Sequence, residues 1–175
     1  MRGEMQRPAD ERFEEIYRRH AEAVAAYVRR RAPASVAEDV VAQTFLVCWQ
    51  KLDRVPEEPL PWLYAVARKT LANERRKQAR QAPVPASVAA EPELAGDPVL
   101  GVAFGRLSER DREVLRLVAW EGLSLRGAAT ALGCTTVACR VRFHRAKRRL
   151  AALLEELEAD PVAARPRPDP EGARP

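Results

Sequence analysis

The chain has 175 residues, of which 46% are apolar and 31% are charged, and its 30 lysines and arginines against 25 acidic residues give a formal net charge of +5. This composition fits one ordinary domain or two small ones, and it excludes a fibrous protein and a disordered acidic tract. No run approaches the roughly 18 consecutive apolar residues that a spanning helix requires, and the N-terminus lacks the apolar core of a signal peptide. We therefore expect a cytoplasmic protein that does not itself insert into a membrane.

The first 80 residues have the hydrophobic period of a small helical bundle. A first helix is predicted to end at Ala32-Pro33, because the residue before a proline disfavours helical backbone. The run 35–38 has the capping-box pattern that begins a second helix, and prolines at 56, 59 and 61 predict a loop before a third helix near Pro61. The residues predicted to face the core are Phe13, Ile16, Tyr17, His20, Val24, Tyr27, Val28, Ala37, Val41, Phe45, Cys48, Leu52, Trp62, Leu63, Val66 and Leu71.

The third predicted helix carries a basic cluster, with six basic residues and one acid between Trp62 and Arg80. Aromatic rings that stack on unpaired bases, followed by a positive track, are the combination that binds single-stranded nucleic acid. The alternative is that the aromatic residues at the start of a bundle helix belong to its core. The residues of this cluster are Trp62, Tyr64, Arg68, Lys69, Asn73, Arg75, Arg76 and Lys77.

The segment 81–97 has three acids, no base and three prolines, which is typical of a semi-extended linker. Its seventeen residues can reach roughly 55 to 60 Å, which is about 16 to 18 base pairs of duplex. The last stretch of the chain has five prolines in fifteen residues, which predicts a disordered tail over 159–175.

The second predicted module begins near Pro98. Ser108 opens a second capping-box pattern, Gly122 is predicted to close the helix that follows, and Ser124 can cap the next helix. A tight turn over 133–135 then leads into a long basic helix, which is the helix-turn-helix pattern. Since neither module contains an alternating strand of useful length, we predict an all-α fold of two small helical domains joined by a flexible linker.

In the predicted helix from Thr136 to Leu150, the helical period places apolar and polar residues on opposite faces. At about 100° per residue, Cys139, Phe143, Ala146 and Leu150 form a buried stripe. Small apolar groups mixed with hydrogen-bond donors lie on the opposite face, which suits a DNA major groove. The residues of this outward face are Val137, Arg140, Val141, His144, Arg145 and Arg148.

The basic helix therefore predicts contacts both to base edges and to phosphates. A solvated surface helix is the alternative, but six bases and no acid between 133 and 150 leave this helix without ion pairs of its own. We expect base contacts from Val137, Arg140, Val141 and His144, and phosphate contacts from Thr136, Arg142, Arg145, Lys147, Arg148 and Arg149.

The cysteines and histidines do not predict a metal or catalytic site. Cys48, Cys134 and Cys139 are an odd number, which argues against a disulfide framework. A zinc site at Cys134, Cys139 and His144 would lack a fourth ligand, and the last two residues are about 140° apart around a helix. We predict no metal, no cofactor and no enzymatic activity, because no nucleophile with a base and no glycine-rich phosphate loop is present.

Three stretches of sequence resemble a known family. The runs AEDVVAQTFLVCWQKL (37–52), PWLYAVARKTLANERR (61–76) and the segment 107–150 resemble regions 2 and 4 of the extracytoplasmic-function sigma factors of bacterial RNA polymerase. The resemblance implies region 2 over 8–80, for polymerase binding and minus-10 recognition and melting, and region 4 over 98–158, for minus-35 recognition. The rival hypothesis is a stand-alone helix-turn-helix regulator that binds duplex operator DNA.

The resemblance also implies partners and site residues. The partners would be core RNA polymerase, through its clamp helices and flap, promoter DNA, and an anti-sigma factor that covers the two DNA-binding modules. This chain departs from the usual pattern at Gln43, Lys69, Asn73 and Gly127-Ala128, and a glycine within a helix costs roughly 1 kcal/mol relative to alanine. The implied sites are Asp39, Gln43, Phe45 and Trp49 for polymerase binding; Trp62, Tyr64, Arg68, Lys69, Asn73 and Arg76 for the minus-10 element; and Thr136, Val137, Arg140, Val141, His144, Arg145 and Arg148 for the minus-35 element.

Overall fold

The structure, a computed structural model, describes residues 2–81 and 97–159, and within these ranges the chain forms α-helices and no β-strand. The predicted all-α class is confirmed. The predicted linker and tail lie almost entirely outside the described residues. The helices are α1 (Arg2–Arg29), α2 (Ala34–Gln50), α3 (Pro59–Gln81), α4 (Pro98–Arg106), α5 (Glu109–Ala119), α6 (Leu125–Leu132) and α7 (Thr136–Ala159), with a 3-10 turn at Leu52–Arg54.

Helices α1, α2 and α3 pack against one another as the first module. The rings of Tyr27 and Tyr64 stack at its centre with their centroids 4.6 Å apart. The buried Thr44 hydroxyl donates a hydrogen bond to the Val40 carbonyl at 2.7 Å, so this polar group is satisfied within the core. The fully buried residues around these groups include Val24, Val28, Val40, Cys48, Leu63 and Ala67.

Several details of the first module differ from the sequence predictions. The capping box at Ser35 is wrong: α2 begins at Ala34 after the extended Pro33, so Ser35 is already helical, and no side chain caps the helix. Helix α1 ends at Arg29 and α3 begins at Pro59, each a few residues earlier than predicted. Tyr17 is 48% exposed rather than a core residue, because it lies at the outer edge of the contact between α1 and α2.

The second module is built on α7, against which α4, α5 and α6 all pack. The predicted caps are confirmed: the Ser108 hydroxyl accepts from the Asp111 N–H at 3.2 Å, and the Ser124 hydroxyl accepts from the Gly127 N–H at 3.1 Å. Gly133 ends α6 with a φ of 68°, a left-handed conformation that favours glycine. The core of this module includes Phe104, Val114, Leu117, Ala128, Cys139, Ala146 and Leu157.

The two modules are in direct contact, because α6 packs against α3. Small residues line this side of α6, and Gly127, Ala128 and Ala131 are all buried. A Cβ atom at Gly127 would lie 3.3 Å from Cγ of Pro61, at the start of α3. The glycine that weakens an isolated helix thus allows the close approach of α6 to the first module.

Candidate nucleic-acid interface

The start of α7 presents an exposed face that combines valines with hydrogen-bond donors. Val137 is 70% exposed and Val141 is 43% exposed, although large aliphatic residues are usually covered. The opposite side is covered, with Cys139 and Ala146 fully buried and Phe143 and Leu150 partly buried, so the predicted inward stripe is confirmed. The exposed donors on the same outward side are Arg140, His144, Arg145 and Arg148, and Thr136 is partly buried beside them.

The turn before α7 fixes where this face begins. The Thr135 hydroxyl accepts a hydrogen bond from the Ala138 N–H at 3.2 Å and so caps the helix. The sequence reasoning missed this capping role, although a threonine just before a helical period is a recognisable signal. With α6 packed on α7 and the Gly133 turn between them, the N-terminal end of α7 has the arrangement of a recognition helix.

Two of the arginines expected to contact phosphates have other positions. Arg142 is partly buried and lines a cavity of about 300 Å³ between the modules. Arg149 donates to the Asp111 carboxylate at 2.6 Å, which joins α7 to α5. Because Arg142 is directed toward protein, we remove it from the set of DNA contacts; the Arg149 side chain is 65% exposed in its ion pair, and its phosphate contact stays a prediction. Arg145, Lys147 and Arg148 are exposed and stay in the set.

The basic helix α3 borders a groove that it shares with α2. The groove has a volume of about 790 Å³, and Trp62, Lys69 and Asn73 line its α3 side. Trp62 is half-buried, whereas Lys69, Asn73 and Arg76 are exposed. Arg76 donates to the Asn73 side-chain oxygen at 2.8 Å, so these two side chains form one polar unit. The groove therefore combines an aromatic edge with the cations Lys51, Arg54 and Lys69, and the carboxylates of Asp39 and Glu74 also line it.

Tyr64 and Arg68 are not available on the α3 surface in this structure. Tyr64 is 2% exposed and stacks on Tyr27, so it cannot also stack on a base, and its assignment to DNA is corrected. Burial, followed by the nearby Glu121 carboxylate, raises the pKa of Tyr64 to about 12. The Arg68 guanidinium donates to the carbonyls of Ala131 and Leu132, both at 3.1 Å, and thus contacts the second module.

The exposed face of α2 includes some of the residues that the sequence predicts for polymerase binding. Asp39 and Gln43 are exposed and line the same groove. Phe45 is 4% exposed and packs edge-on against Tyr17 with ring centroids 4.8 Å apart, so its assignment to a docking surface is corrected. Leu46, which the sequence reasoning missed, is 47% exposed and lies at helical spacing from Asp39 and Gln43.

Trp49 lies at the edge of the α2 face, where it is 40% exposed and packs edge-on against Phe13 with ring centroids 5.1 Å apart. The four residues predicted for polymerase binding are therefore not on a single face. Asp39 and Gln43 share a face with Leu46, Trp49 flanks that face, and Phe45 points inward.

The cysteines are free thiols, and burial raises the pKa of Cys48 and of Cys139. Across residues 2–81 and 97–159, no group of three or more histidine, cysteine or acidic side chains could hold a metal ion. Over the same ranges, no helix has both the length and the apolar character needed to cross a bilayer.

The two helical modules and the exposed face of α7 define a two-module protein with a DNA-reading helix-turn-helix. Residues 16–81 match the family described as sigma-70 region 2, and residues 99–150 match sigma-70 region 4. The ECF RNA polymerase sigma factor SigL of Mycobacterium tuberculosis is 32% identical over 161 residues, with 81% of this chain and 88% of SigL covered.

Two solved structures have a similar fold. CnrH, a sigma factor of Cupriavidus metallidurans, was solved in complex with the cytosolic domain of CnrY. It is 32% identical to this chain with a TM-score of 0.56, and the match covers 85% of this chain and 88% of CnrH. RpoE of Bartonella quintana was solved in complex with the anti-sigma factor NepR. It has a TM-score of 0.62 at 24% identity, and the match covers 82% of this chain and 96% of RpoE. At this identity the likeness supports the fold alone.

The chain belongs to the sigma-70 family, in the extracytoplasmic-function group. It is an alternative sigma factor that binds core RNA polymerase and promoter DNA to direct transcription initiation. Nothing favours the stand-alone regulator that the helix-turn-helix alone would allow.

Proposed function

We propose that this sigma factor reads a duplex minus-35 element with α7 and a melted minus-10 element with α3. The observation that carries the proposal is the outward face of α7, where exposed Val137 and Val141 alternate with Arg140 and His144. Valine side chains can contact thymine methyl groups, and arginine can bond both acceptors of guanine. A solvated helix has no need of two exposed valines among its cations.

We divide the DNA contacts of α7 into base contacts near its N-terminus and phosphate contacts that are mostly further along the helix. We assign Val137, Arg140, Val141 and His144 to base edges, because the first turns of a recognition helix enter the groove. Thr136, Arg145 and Arg148 are assigned to phosphates, with Lys147 adding positive charge. Phosphate contacts set the position of the helix on the duplex, while the base contacts select the sequence.

The minus-10 surface is the α3 side of the groove between α2 and α3. Trp62 supplies an aromatic edge, and Lys69, Asn73 and Arg76 supply polar and positive groups for separated nucleotides. Arg68 joins this surface only when its guanidinium leaves the carbonyls at the end of α6. Tyr64 remains in the core.

Polymerase binding is assigned to the exposed face of α2. Asp39 and Gln43 provide its polar part, and we add Leu46 as the apolar contact, with Trp49 at the margin. Protein interfaces combine such exposed apolar anchors with a polar rim. The clamp helices are the proposed partner of this face, and the flap is the proposed partner of the region 4 module.

The remaining assignments follow from this role. The chain acts in the cytoplasm, where the polymerase is, and it has no catalytic chemistry of its own. We assign region 2 to 8–80, the linker to 81–97, region 4 to 98–158 and a tail to 159–175. CnrH was solved in complex with the cytosolic domain of CnrY, and we assign this chain a protein partner in the same role, an anti-sigma factor.

Run-off transcription tests the proposal directly. Purified core polymerase with this chain should initiate at discrete sites in a pool of genomic fragments, and neither component alone should do so. The Arg140→Ala variant should lose footprint protection at the upstream element, while the matched variant Arg106→Ala, on α4 and paired with Glu156, should retain it. Initiation at no promoter in the pool would refute the proposed function.

A further inference from the structure

The cavity that Arg142 lines has more arginine in its wall than any other residue type, and we call it the arginine cavity. Its volume is about 300 Å³, and both modules contribute to its wall. Two carboxylates, Glu109 and Glu113, also line it, so the cations outnumber the acids. The arginines of the wall are Arg31, Arg68, Arg75, Arg110 and Arg142.

The two carboxylates of the arginine cavity are already paired. Glu113 pairs with Arg31 at 3.0 Å and accepts a hydrogen bond from the Tyr27 hydroxyl at 2.9 Å. Glu109 pairs at 2.8 Å with Arg112, an arginine outside the cavity wall. The charges of both carboxylates are therefore balanced before the other arginines of the wall are counted.

The remaining four arginines of the wall have no carboxylate partner within the described residues. Arg68 and Arg75 donate only to backbone carbonyls, at 3.1 Å and 3.0 Å. Arg110 and Arg142 make no hydrogen bond or ion pair with the part of the chain that the structure describes. Four positive charges thus line one small cavity, and an anion bound there would reduce their mutual repulsion.

Arg31 adds a buried donor that lacks a partner. Its side chain is 4% exposed, and its Nε and Nη1 nitrogens donate to Glu113 and Glu121 at 3.0 Å and 2.9 Å. Its Nη2 nitrogen is buried and has no acceptor among residues 2–81 and 97–159. A buried donor without a partner is rare in folded proteins, because it has lost its bond to water and gained nothing in return. A bound acceptor in the cavity would satisfy it.

The pKa of a neighbouring arginine agrees with an excess of positive charge around the cavity. Burial, followed by the charges of Arg31 and Arg75, lowers the pKa of Arg116 to about 10. The guanidinium group otherwise keeps its proton at any ordinary pH. The two arginine charges act in the same direction as burial, which is expected where cations outnumber the nearby carboxylates.

The shape and chemistry of the cavity limit what it can bind. Arg75 and Arg110 are exposed as well as part of the wall, so a solute can enter from the solvent. A volume of about 300 Å³ is at the lower end of the range for ligand pockets, roughly 300 to 1,000 Å³, so the occupant is small. The planar guanidinium group matches two phosphate oxygens at once, and Leu71 and Leu132 add an apolar part of the wall.

We propose that the arginine cavity binds a small anion with a doubly charged phosphate group, held chiefly by Arg75, Arg110 and Arg142. The phosphate group balances the arginines that lack carboxylates, and the apolar part of the wall accommodates a small organic body. A nucleic-acid strand fits less well, because each of its phosphates carries one charge and the strand must both enter and leave. Arg142, which is not on the DNA-reading face of α7, thereby gains a ligand of its own.

Calorimetric titration of the full chain with sodium pyrophosphate tests this proposal, with the ionic strength held constant by sodium chloride. We expect saturable binding, and Arg142→Ala should weaken it by at least about tenfold, since one charge-assisted contact is lost. The matched control is Arg145→Ala, which removes the same charge from an exposed position on the same helix and should bind as wild type does. Circular dichroism checks that each variant keeps its helices.

Two further probes distinguish the sources of the phosphate group. Tighter binding of inorganic phosphate would support the proposal with the free ion as the ligand, and tighter binding of glycerol 3-phosphate would support it with a phosphorylated small molecule. Arg142→Lys should recover part of the affinity, because it keeps the charge without the planar fork. Should Arg142→Ala fail to fold, Arg110→Ala at the exposed part of the wall takes its place.

Three results would overturn the proposal. Pyrophosphate could fail to saturate the chain, or it could bind wild type, Arg142→Ala and Arg145→Ala equally, which would mean that overall charge alone attracts it. A single-stranded oligonucleotide that displaces pyrophosphate would assign the cavity to the nucleic-acid surface instead. The titration contains neither polymerase nor promoter DNA, so its result is independent of the function proposed above.

Discussion

Replacing Glu121 by glutamine removes the carboxylate that Arg30 and Arg31 share across the contact between the modules. The Glu121 side chain is 1% exposed, so water cannot replace the lost charge while the modules remain together. Breaking a buried pair by removing one partner typically costs about 3 to 5 kcal/mol, because the other charge is left uncompensated. At about 1.4 kcal/mol per factor of ten, the ratio of open to closed chains should rise by roughly 100-fold to 4,000-fold. Because Glu113 still pairs with Arg31, the lower figure is the better expectation.

Small-angle scattering of the purified chain measures this opening directly, since the radius of gyration increases when the modules separate. The matched control is Glu156→Gln, because Glu156 is 63% exposed in its pair with Arg106 and such pairs contribute at most about 1 kcal/mol. We expect Glu156→Gln to scatter as wild type does and Glu121→Gln to give a larger radius at unchanged helix content. The reasoning is refuted if the two variants scatter identically, because the ion pairs of Glu121 with Arg30 and Arg31 would then not hold the modules together.

Four further predictions concern recognition, docking and folding. Arg140→Ala should weaken binding to the minus-35 duplex by about 1 to 3 kcal/mol when measured by footprint titration, and Arg106→Ala should not. Leu63 is fully buried, so Leu63→Ala should lower the free energy of unfolding in urea by about 2 to 5 kcal/mol. Leu46→Ala, at a residue 47% exposed, should leave that free energy nearly unchanged but weaken polymerase binding, and unchanged binding would remove Leu46 from the interface. Burial and the neighbouring Arg19 lower the pKa of His20 below 6.5, so near that pH the unfolded chain takes up a proton that the folded chain does not. The free energy of unfolding should therefore decrease as the pH falls through 6.5. His20→Gln should reduce this pH dependence in urea titrations.

The contact between the modules is made largely by charged side chains. Its charged groups are bonded in the closed arrangement and can be hydrated in an open one, so neither state requires the modules themselves to unfold. An apolar contact of the same size would leave exposed hydrophobic surface whenever it opened. A charged contact around a small glycine-and-alanine surface can therefore open at a lower cost than an apolar contact of the same size.

The sequence alone determines the features that depend on neighbours within a few residues. The caps at Ser108 and Ser124 and the left-handed turn at Gly133 were predicted correctly, because each depends on hydrogen bonds or backbone freedom inside one turn. The inward stripe of α7, with Cys139 and Ala146 buried, follows from helical period in the same way. The family also follows from sequence, because its motifs are contiguous runs.

Only the tertiary structure decided which side chains the two modules share. Arg31 and Glu113 are 82 residues apart in the sequence, and Arg68 and Leu132 are 64 apart, so no local pattern could pair them. Tyr64 looks like a surface aromatic beside a basic cluster until Tyr27 is found stacked on it. Gly127 looks like a weak point in a helix until Pro61 is found against it. Periodicity tells which face of a helix is covered, but what covers that face depends on where distant parts of the chain come together.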